Sequence, residues 1–424
     1  DGGGAAAREA AAPRTAPVAP PATLSGLSGL SHAVTVRTPP PEEGTPACGT
    51  KGASPALRRV WRYPVDRLSE GVFDDKKVMQ LYGFTPAKSH EEADIVFGSK
   101  AAELSVLAAD LEAKKQLVLL SRSDSSAMFS DHPMLNHKNF LGLFKEFTLR
   151  SLEDWLQPRI DFGRYHSFLI CNSSVLRSHP MCIAQNSNMT ILSPPVKPEW
   201  AKVRTVNWNW PQYFPLWANL KEERRRNTTE VLAKTRDLDV FMSVHLRDEP
   251  PSLARTQVLR AMAGFSGRTA LFSCKKPKSM AAKLFRDWPD RCLKKKEYAK
   301  YVKRAKVMIC PWGFGEFTTC DHHGWLAGAV VVKPLSDHVR GFPDMYRSGV
   351  TYVPVAPDYS DLQAVLRRIL GDYGAYWKMR AKARDFFLAT VGKDSFRQHF
   401  WANVCAASEA AGFSASGAEP SRGA

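Results

Sequence analysis

Eleven residues in this chain have the type and setting to do chemistry. Asp124, Asp131 and His132 come after an apolar run, Gln116–Leu120, in a stretch rich in Ser, Asp and His. Carboxylates and an imidazole in a loop that follows a strand are where catalytic and acceptor-binding groups sit in a parallel α/β domain. The two aspartates serve equally well as turn and helix N-cap residues. Arg247 and Lys275 close two further apolar runs, Leu238–Val244 and Thr269–Ser273. A bidentate guanidinium and a point-charge ammonium both suit a phosphate, although Lys275 reads just as well as an ordinary strand-end surface lysine. The other six, Trp312, Gly313, Gly315, Glu316, Asp321 and His322, lie in the segment Lys306–Pro334, KVMICPWGFGEFTTCDHHGWLAGAVVVKP.

That segment dictates its own local structure. Val307–Cys310 and Ala329–Val332 are short apolar runs closed by Pro311 and by Lys333-Pro334, and both predict buried strands. The glycines of Pro311-Trp312-Gly313-Phe314-Gly315 let backbone approach a ligand, and Thr318 or Thr319 is placed to cap a helix that ends at Gly328. A turn at the carboxyl end of a strand followed by a helix N-terminus favours an anion such as a diphosphate. Asp321, His322 and His323 are adjacent and cannot all face one way on a helix, so one histidine is expected to reach a ligand while the other packs or is solvated. His322 is taken as the ligand-side one. The pair lacks the i, i+4 spacing of a helical metal site, so no metal is expected.

The elements that must position these residues alternate in type. Strands are predicted at 60–64, 93–98 and 116–120, with a helix over 100–114, and further strands at 168–171 and 189–192. A second series follows: strand 238–244, helix 252–264, strand 269–273, helices 280–288 and 295–305, the Lys306–Pro334 unit, strand 349–354, and helices 361–370, 373–390 and 394–407. Alternation of this kind implies parallel sheets. A chain of 424 residues, 44% of them hydrophobic, is long enough for two cores. The divisions expected are a disordered Ala/Pro-rich stem over 1–56, a first domain over 57–200, a linker rich in Trp and Pro over 201–236, a second domain over 237–408, and a disordered tail over 409–424.

The formal net charge is +17, and between Lys275 and Lys306 thirteen Lys or Arg face only Asp287, Asp290 and Glu297. This is either a solvated helix face or an attractor for a nucleotide diphosphate or anionic glycan. The eight cysteines contain no C-x-x-C pair, which argues against zinc. Cys274 and Cys310 read as small buried apolar groups, and Cys171 with Cys182 as a bridge if the compartment is oxidising. Sequons at Asn172, Asn188 and Asn227 fit secretory passage. The first residue is Asp, so any targeting segment or membrane anchor is expected upstream of the sequence, and no apolar run in it reaches the roughly 20 residues of a span.

From Pro311-Trp312-Gly313-Phe314-Gly315-Glu316 through Asp321, Leu326-Ala327-Gly328 and Val330–Pro334, the chain resembles the donor-binding core of GT-B glycosyltransferases, above all exostosin-like members. The likeness continues through Val350–Val355 and Tyr359–Leu362, so it covers roughly residues 237–400 well and 58–200 weakly. The resemblance implies two Rossmann-like domains with a cleft between them, the last helix packing back toward the first domain. It implies a nucleotide-sugar donor, held by Arg247, Lys275, Trp312, Gly313, Gly315, Glu316, Asp321 and His322 and with Glu316 accepting from ribose hydroxyls. A glycan or glycoprotein acceptor is expected, with Asp124, Asp131 and His132 as the catalytic candidates. No cofactor and no nucleic-acid partner is expected, and the place implied is the Golgi or secretory lumen, a cytoplasmic site being the alternative. Retaining members with paired glutamates carry Glu near the position of His323, which speaks against that arrangement. The reading from another class is a basic module for nucleic acid or anionic glycan, or a silent relative of the transferases.

Overall fold

Apolar runs separated by helix-length stretches fold, in a computed structural model, into two parallel sheets. The structure describes residues 57–63, 73, 75–99, 104–121, 137–150, 159–161, 168–170, 190–192, 202–206, 220–246, 250–274, 291–313, 316–390 and 393–411. The first sheet takes β1 (Arg58–Arg62), β2 (Phe84–Pro86), β3 (Ile95–Ser99), β4 (Gln116–Ser121), β5 (Phe140–Lys145) and β10 (Val203–Thr205), with helices α1 (Lys76–Leu81) and α2 (Leu104–Glu112) between strands. Its order is β10-β5-β4-β3-β1-β2, with every pair parallel. Two short helices, α3 (Lys221–Arg225) and α4 (Thr228–Ala233), precede the second sheet, which takes β11 (Leu238–His245), β12 (Thr269–Cys274), β13 (Ala305–Ile309), β14 (Val330–Pro334) and β16 (Val353–Val355), in the order β12-β11-β13-β14-β16, again all parallel.

Both sheets are wound alike. Each begins in the interior, steps to one edge with its second strand, and then reverses to build toward the other edge, which is the doubly wound order with its switch point between the first and third strands. The fold class expected from the sequence is therefore the one observed. The first sheet also reaches into the expected linker, because β10 pairs with β5 and Val206 is fully buried. The fully buried β5 and the short strands β6 (Phe147–Leu149) and β15 (Val339–Gly341) were not among the predicted strands. A small antiparallel sheet joins β7 (Arg159–Asp161), β8 (Phe168–Ile170) and β9 (Thr190–Leu192).

Alternation along the strands sorts the second sheet into two cores. Val240, Met242, Val244, Val307, Ile309, Val330 and Val332 face α5 (Pro250–Ala261) and α8 (Leu362–Gly371) through Val258, Leu259, Leu366 and Ile369. Phe241, Met308 and Val331 face the other way, into a core shared with α6 (Lys295–Arg304), α7 (Thr319–Ala327) and the first sheet. Helices cover both faces, so the strands read as continuous apolar runs.

Helix α7 is fixed at both ends by short-range signals. Thr318 is extended at the N-cap, and its N–H donates to Asp321 Oδ2 at 3.4 Å. Gly328 caps the C-terminus with φ +67°, a left-handed conformation that favours glycine. The end carbonyls are held by two buried arginines: Arg236 donates to Ala327 O and to Ala305 O (2.7 Å), and Arg380 Nε donates to Gly328 O (2.7 Å). Burial pushes the Arg380 guanidinium down to about 10. Within the helix, a Cβ at Gly324 would stand 2.5 Å from Val331 Cγ2, so only glycine lets α7 lie this close to β14.

Helix α10 (Lys393–Ala410) returns to the first sheet, as the resemblance implied. Its Phe400 and Trp401 are fully buried among Phe73, Phe84, Phe97 and Phe144, and Arg397 pairs with Asp75 at 2.9 Å. His399 Nε2 donates to Thr205 O (3.1 Å), and the ring stacks on Phe342 at 3.7 Å. The two sheets are also tied directly. β6 pairs antiparallel with β15, Phe147 stacks on Phe317 at 4.3 Å, and Arg150 holds Asp344 in a bidentate pair at 2.9 and 2.6 Å.

The cysteines correct one expectation. Cys274 and Cys310 are buried, as expected of small apolar groups, but they are bridged, to Cys292 and Cys320 respectively. Among the described residues no cysteine is free, and Cys405 is also disulfide-bonded. Cys171 and Cys182, the expected stem over 1–56, the helix predicted over 280–288, and Trp200, Trp208, Trp210 and Trp217 lie outside the described residues. Among the described residues no helix is long and apolar enough to cross a membrane.

Candidate functional site

The strand order of the second sheet reverses between β11 and β13, and a cavity of about 420 Å³ lies at the carboxyl ends of those strands. One wall is the end of β11 (Ser243, Val244 and His245) with Arg255 from α5. A second is Cys274 at the end of β12, Cys292 and Leu293, and then Lys295, Tyr298 and Ala299 of α6. The third is Pro311 after β13 with Thr318, Thr319, Cys320 and His323 of α7, and Leu220 completes the lining. Each contribution has a local cause. Lys295, Tyr298 and Ala299 stand at i, i+3 and i+4 and so share one face of α6. Thr319 and His323 stand at i and i+4 on α7. Arg255 is anchored through its Nη1, which donates to His245 O at 2.6 Å.

Among the described residues the ionisable lining groups are His245, Arg255, Lys295, Tyr298 and His323, and none of the lining residues is a carboxylate. The N-terminus of α7 adds the positive end of a helix dipole to the same wall. Two disulfides stand at the rim: Cys274–Cys292 closes the segment that leaves β12, and Cys310–Cys320 ties the end of β13 to the first turn of α7. Tyr298 Oη lies 3.2 Å from His323 Nδ1, and burial, with the Asp321 charge second, raises the phenol above its ordinary range. The arrangement suits a polyanion held by cations and helix-terminal amides, with Leu220, Val244 and Leu293 offering apolar surface to an attached ring.

The sequence-predicted residues divide sharply around this cavity. Asp124, Asp131, His132, Arg247, Lys275 and Gly315 lie outside the described residues. Trp312, Gly313, Glu316, Asp321 and His322 are described, and none of them is in the cavity wall. Trp312 is buried, and its Nε1 donates to Ser336 Oγ at 3.0 Å. Gly313 is half-buried beside it. Glu316 is expected in an open loop, yet it is 1% exposed, with Oε1 3.2 Å from His338 Nε2. Asp321 is fully buried beneath the helix start, where Oδ2 accepts from Lys333 Nζ (2.6 Å) and Tyr346 Oη (2.9 Å). Lys333 Nζ also donates to Glu316 O at 2.8 Å and sits 4.2 Å from the Tyr346 ring centroid. The polar residues that carry the resemblance thus form a buried clasp behind the cavity.

The histidine assignment is reversed. His322 packs among Phe317, Trp325 and Phe387 in the core, and burial pushes its imidazole well below the ordinary value. His323 is the one in the cavity wall. Arg255, His245, Lys295 and Tyr298 were missed. The i, i+3, i+4 spacing of Lys295, Tyr298 and Ala299 was the available signal for α6, but nothing local separates that face from a solvated one.

No protein-family model matches the sequence, and no curated protein matches it either. Solved structures do resemble the fold. The C-terminal domain of a glycosyl transferase group 1 family protein from Francisella tularensis is similar at 7% identity and TM-score 0.28, covering 38% of this chain and 91% of that one. Alr3699/HepE of Anabaena, solved in complex with UDP, is similar at 11% identity and TM-score 0.38, covering 73% of this chain and 78% of that one. A UDP-forming α,α-trehalose-phosphate synthase from Burkholderia xenovorans is similar at 10% identity and TM-score 0.39, covering 74% of each chain.

Proposed function

We propose that this protein is a GT-B-like glycosyltransferase, exostosin-like in its second domain, that holds a nucleoside-diphosphate sugar in the cavity at the end of β11, β12 and β13. The observation that carries this reading is the coincidence of the strand-order reversal, the α7 N-terminus and a lining that, among the described residues, holds Arg255, Lys295 and two histidines but no carboxylate. In the transfer, the bond from the sugar anomeric carbon to the diphosphate oxygen breaks and a bond to an acceptor hydroxyl oxygen forms. The hydroxyl proton passes to a base, and the nucleoside diphosphate leaves. Arg255 and Lys295 are suited to the charge that grows on the diphosphate, with Arg247 and Lys275 following in sequence from the same strands. Asp124, Asp131 and His132 are the proposed acceptor-side groups, because they follow β4 of the first sheet, and a glycan or glycoprotein is the proposed acceptor. The disulfides support an oxidising compartment such as the secretory lumen.

A thermal-shift screen of nucleotide sugars tests the donor site without an acceptor. A ligand at a hundredfold excess over its Kd stabilises by about 2.7 kcal/mol. Arg255→Ala should weaken that ligand by about 1.5–3 kcal/mol, the value of a charged hydrogen bond, while leaving the bare nucleoside nearly unaffected. A screen in which no nucleotide sugar raises Tm, together with no release of nucleoside diphosphate in the presence of glycan acceptors, overturns the proposal.

A further inference from the structure

We infer that Asn227 is an attachment site for an asparagine-linked glycan, taken from a lipid-diphosphate-linked oligosaccharide of the secretory lumen. The inference rests on the lumenal placement proposed above and is independent of the donor site. Asn227-Thr228-Thr229 meets the acceptor pattern of Asn, any residue but Pro, then Ser or Thr. The structure adds what the pattern leaves open, which is how the three side chains are divided between fold and solvent. Thr228 is half-buried, and its Oγ1 donates to Asp385, which docks the middle of the tripeptide. Asn227 and Thr229 on either side of it are exposed, so a sugar on Asn227 extends into solvent.

Asn227 also caps α4, and the cap is compatible with a glycan. The Asn227 backbone is extended (φ −67°, ψ 159°), its Oδ1 accepts from Glu230 N–H at 2.8 Å, and its Nδ2 donates to Glu230 Oε1 at 2.7 Å. These two bonds fix which way the amide points, because a backbone N–H only donates and a carboxylate only accepts. The cap therefore uses one acceptor and one donor. A primary amide has two N–H bonds, and glycosylation replaces one of them. A bond forms from Nδ2 to the anomeric carbon of the first sugar, the bond from that carbon to the lipid diphosphate breaks, and the displaced proton is released. The modified amide keeps Oδ1 and one N–H, which is the inventory the cap requires. Asp or Ser would cap α4 as well as Asn does, but neither offers an amide nitrogen. Residues 227–230 are not in the cavity wall, so the glycan leaves the donor entrance open.

The test is peptide-resolved mass spectrometry after enzymatic removal of N-glycans in ¹⁸O water, which converts a glycosylated Asn to labelled Asp. It is run on protein from the cells that make it and on the chain secreted from a eukaryotic host behind a cleavable signal. Asn227 should be labelled in both. Thr229→Ser should keep the label and Thr229→Ala should lose it. Asn227→Asp should carry no glycan while retaining a capping oxygen. Both glycan-free variants should match enzymatically deglycosylated wild type in urea midpoint and in any nucleotide-sugar thermal shift. A secreted, disulfide-bonded chain whose Asn227 is unlabelled overturns the site. A label in the secreted chain but none in protein from its own cells overturns the lumenal placement, and this inference with it. Neither result touches the donor site, which the thermal shift on the same samples reads separately.

Discussion

Replacing Lys333 by Met tests whether the buried clasp supports the fold or touches the donor. Lys333 and Asp321 both have zero side-chain exposure, and their 2.6 Å pair is the main compensation for two charges taken out of water. Burial raises Asp321 and lowers Lys333 from their ordinary values, and the attraction between them opposes both shifts. Without the ammonium, the carboxylate keeps only Tyr346 Oη at 2.9 Å and Thr318 N–H at 3.4 Å, and Glu316 O loses its donor. Breaking a buried pair from one side costs about 3–5 kcal/mol, limited by the option of protonating the acid. Removing both charges, as Asp321→Asn with Lys333→Met, should cost less than Lys333→Met alone, because no uncompensated charge remains. Urea unfolding at pH 7 reads both variants, with an unchanged m-value as the check that stability moved and not the unfolded state. A nucleotide-sugar thermal shift run alongside should keep its size in any variant that stays folded. A Lys333→Met protein of wild-type stability that no longer binds nucleotide would refute the structural assignment and bring the clasp into the donor site.

Three other outcomes follow from the packing. His399 is pushed down to about 4, chiefly by burial, and stays neutral in the fold while the unfolded chain protonates near 6.5. Its contribution is therefore complete above about pH 6.5 and is lost as pH falls toward 4, by up to roughly 3 kcal/mol for a fully enclosed ring and less for this partly exposed one; urea midpoints from pH 7 to 5 should fall, and His399→Gln should flatten that fall. Gly324→Ala places a Cβ 2.5 Å from Val331 Cγ2 and should lower stability by about 1–3 kcal/mol in thermal melts followed by circular dichroism. The Cys310–Cys320 bridge closes a loop with a sequence separation of 10, so replacing both cysteines by Ala should cost roughly 2–3 kcal/mol in the same urea assay and weaken donor binding through the loosened rim.

The parts of this molecule legible in its sequence are those set by neighbours a few residues apart. The strands 307–310 and 329–332 were marked by apolar runs closed with proline, and α7 by Thr318 or Thr319 at one end, of which the structure uses Thr318, and by Gly328 at the other, where only a residue tolerant of φ +67° stops the helix cheaply. The alternation of such units was enough for two parallel sheets. β5 escaped prediction, although every one of its residues is buried; its run Phe-Leu-Gly-Leu-Phe-Lys is broken by Gly142, where a Cβ would stand 2.7 Å from Lys202 O of the chain leading into β10. That contact is 60 residues away and invisible locally.

Which side chains face the cavity was decided only by tertiary structure. Successive helix residues point about 100° apart, so His322 and His323 were bound to part company, but only the docking of α7 against Phe387 of α9 (Trp377–Thr390) assigned the first to the core and the second to the wall. Glu316, Asp321 and Lys333 look like ligand-binding charges when read along the chain. Folding brings them to one another, with His338 and Tyr346, before any ligand is present. Arg255 and Tyr298 reach the same cavity from helices that are remote in sequence, and the bridges Cys274–Cys292 and Cys310–Cys320 were open among all pairings of eight cysteines. The physical reason is common to all of these. A residue's type limits what it can do, whereas the neighbours that satisfy its charge or hydrogen bonds are supplied by strands and helices whose meeting depends on the whole packed sheet.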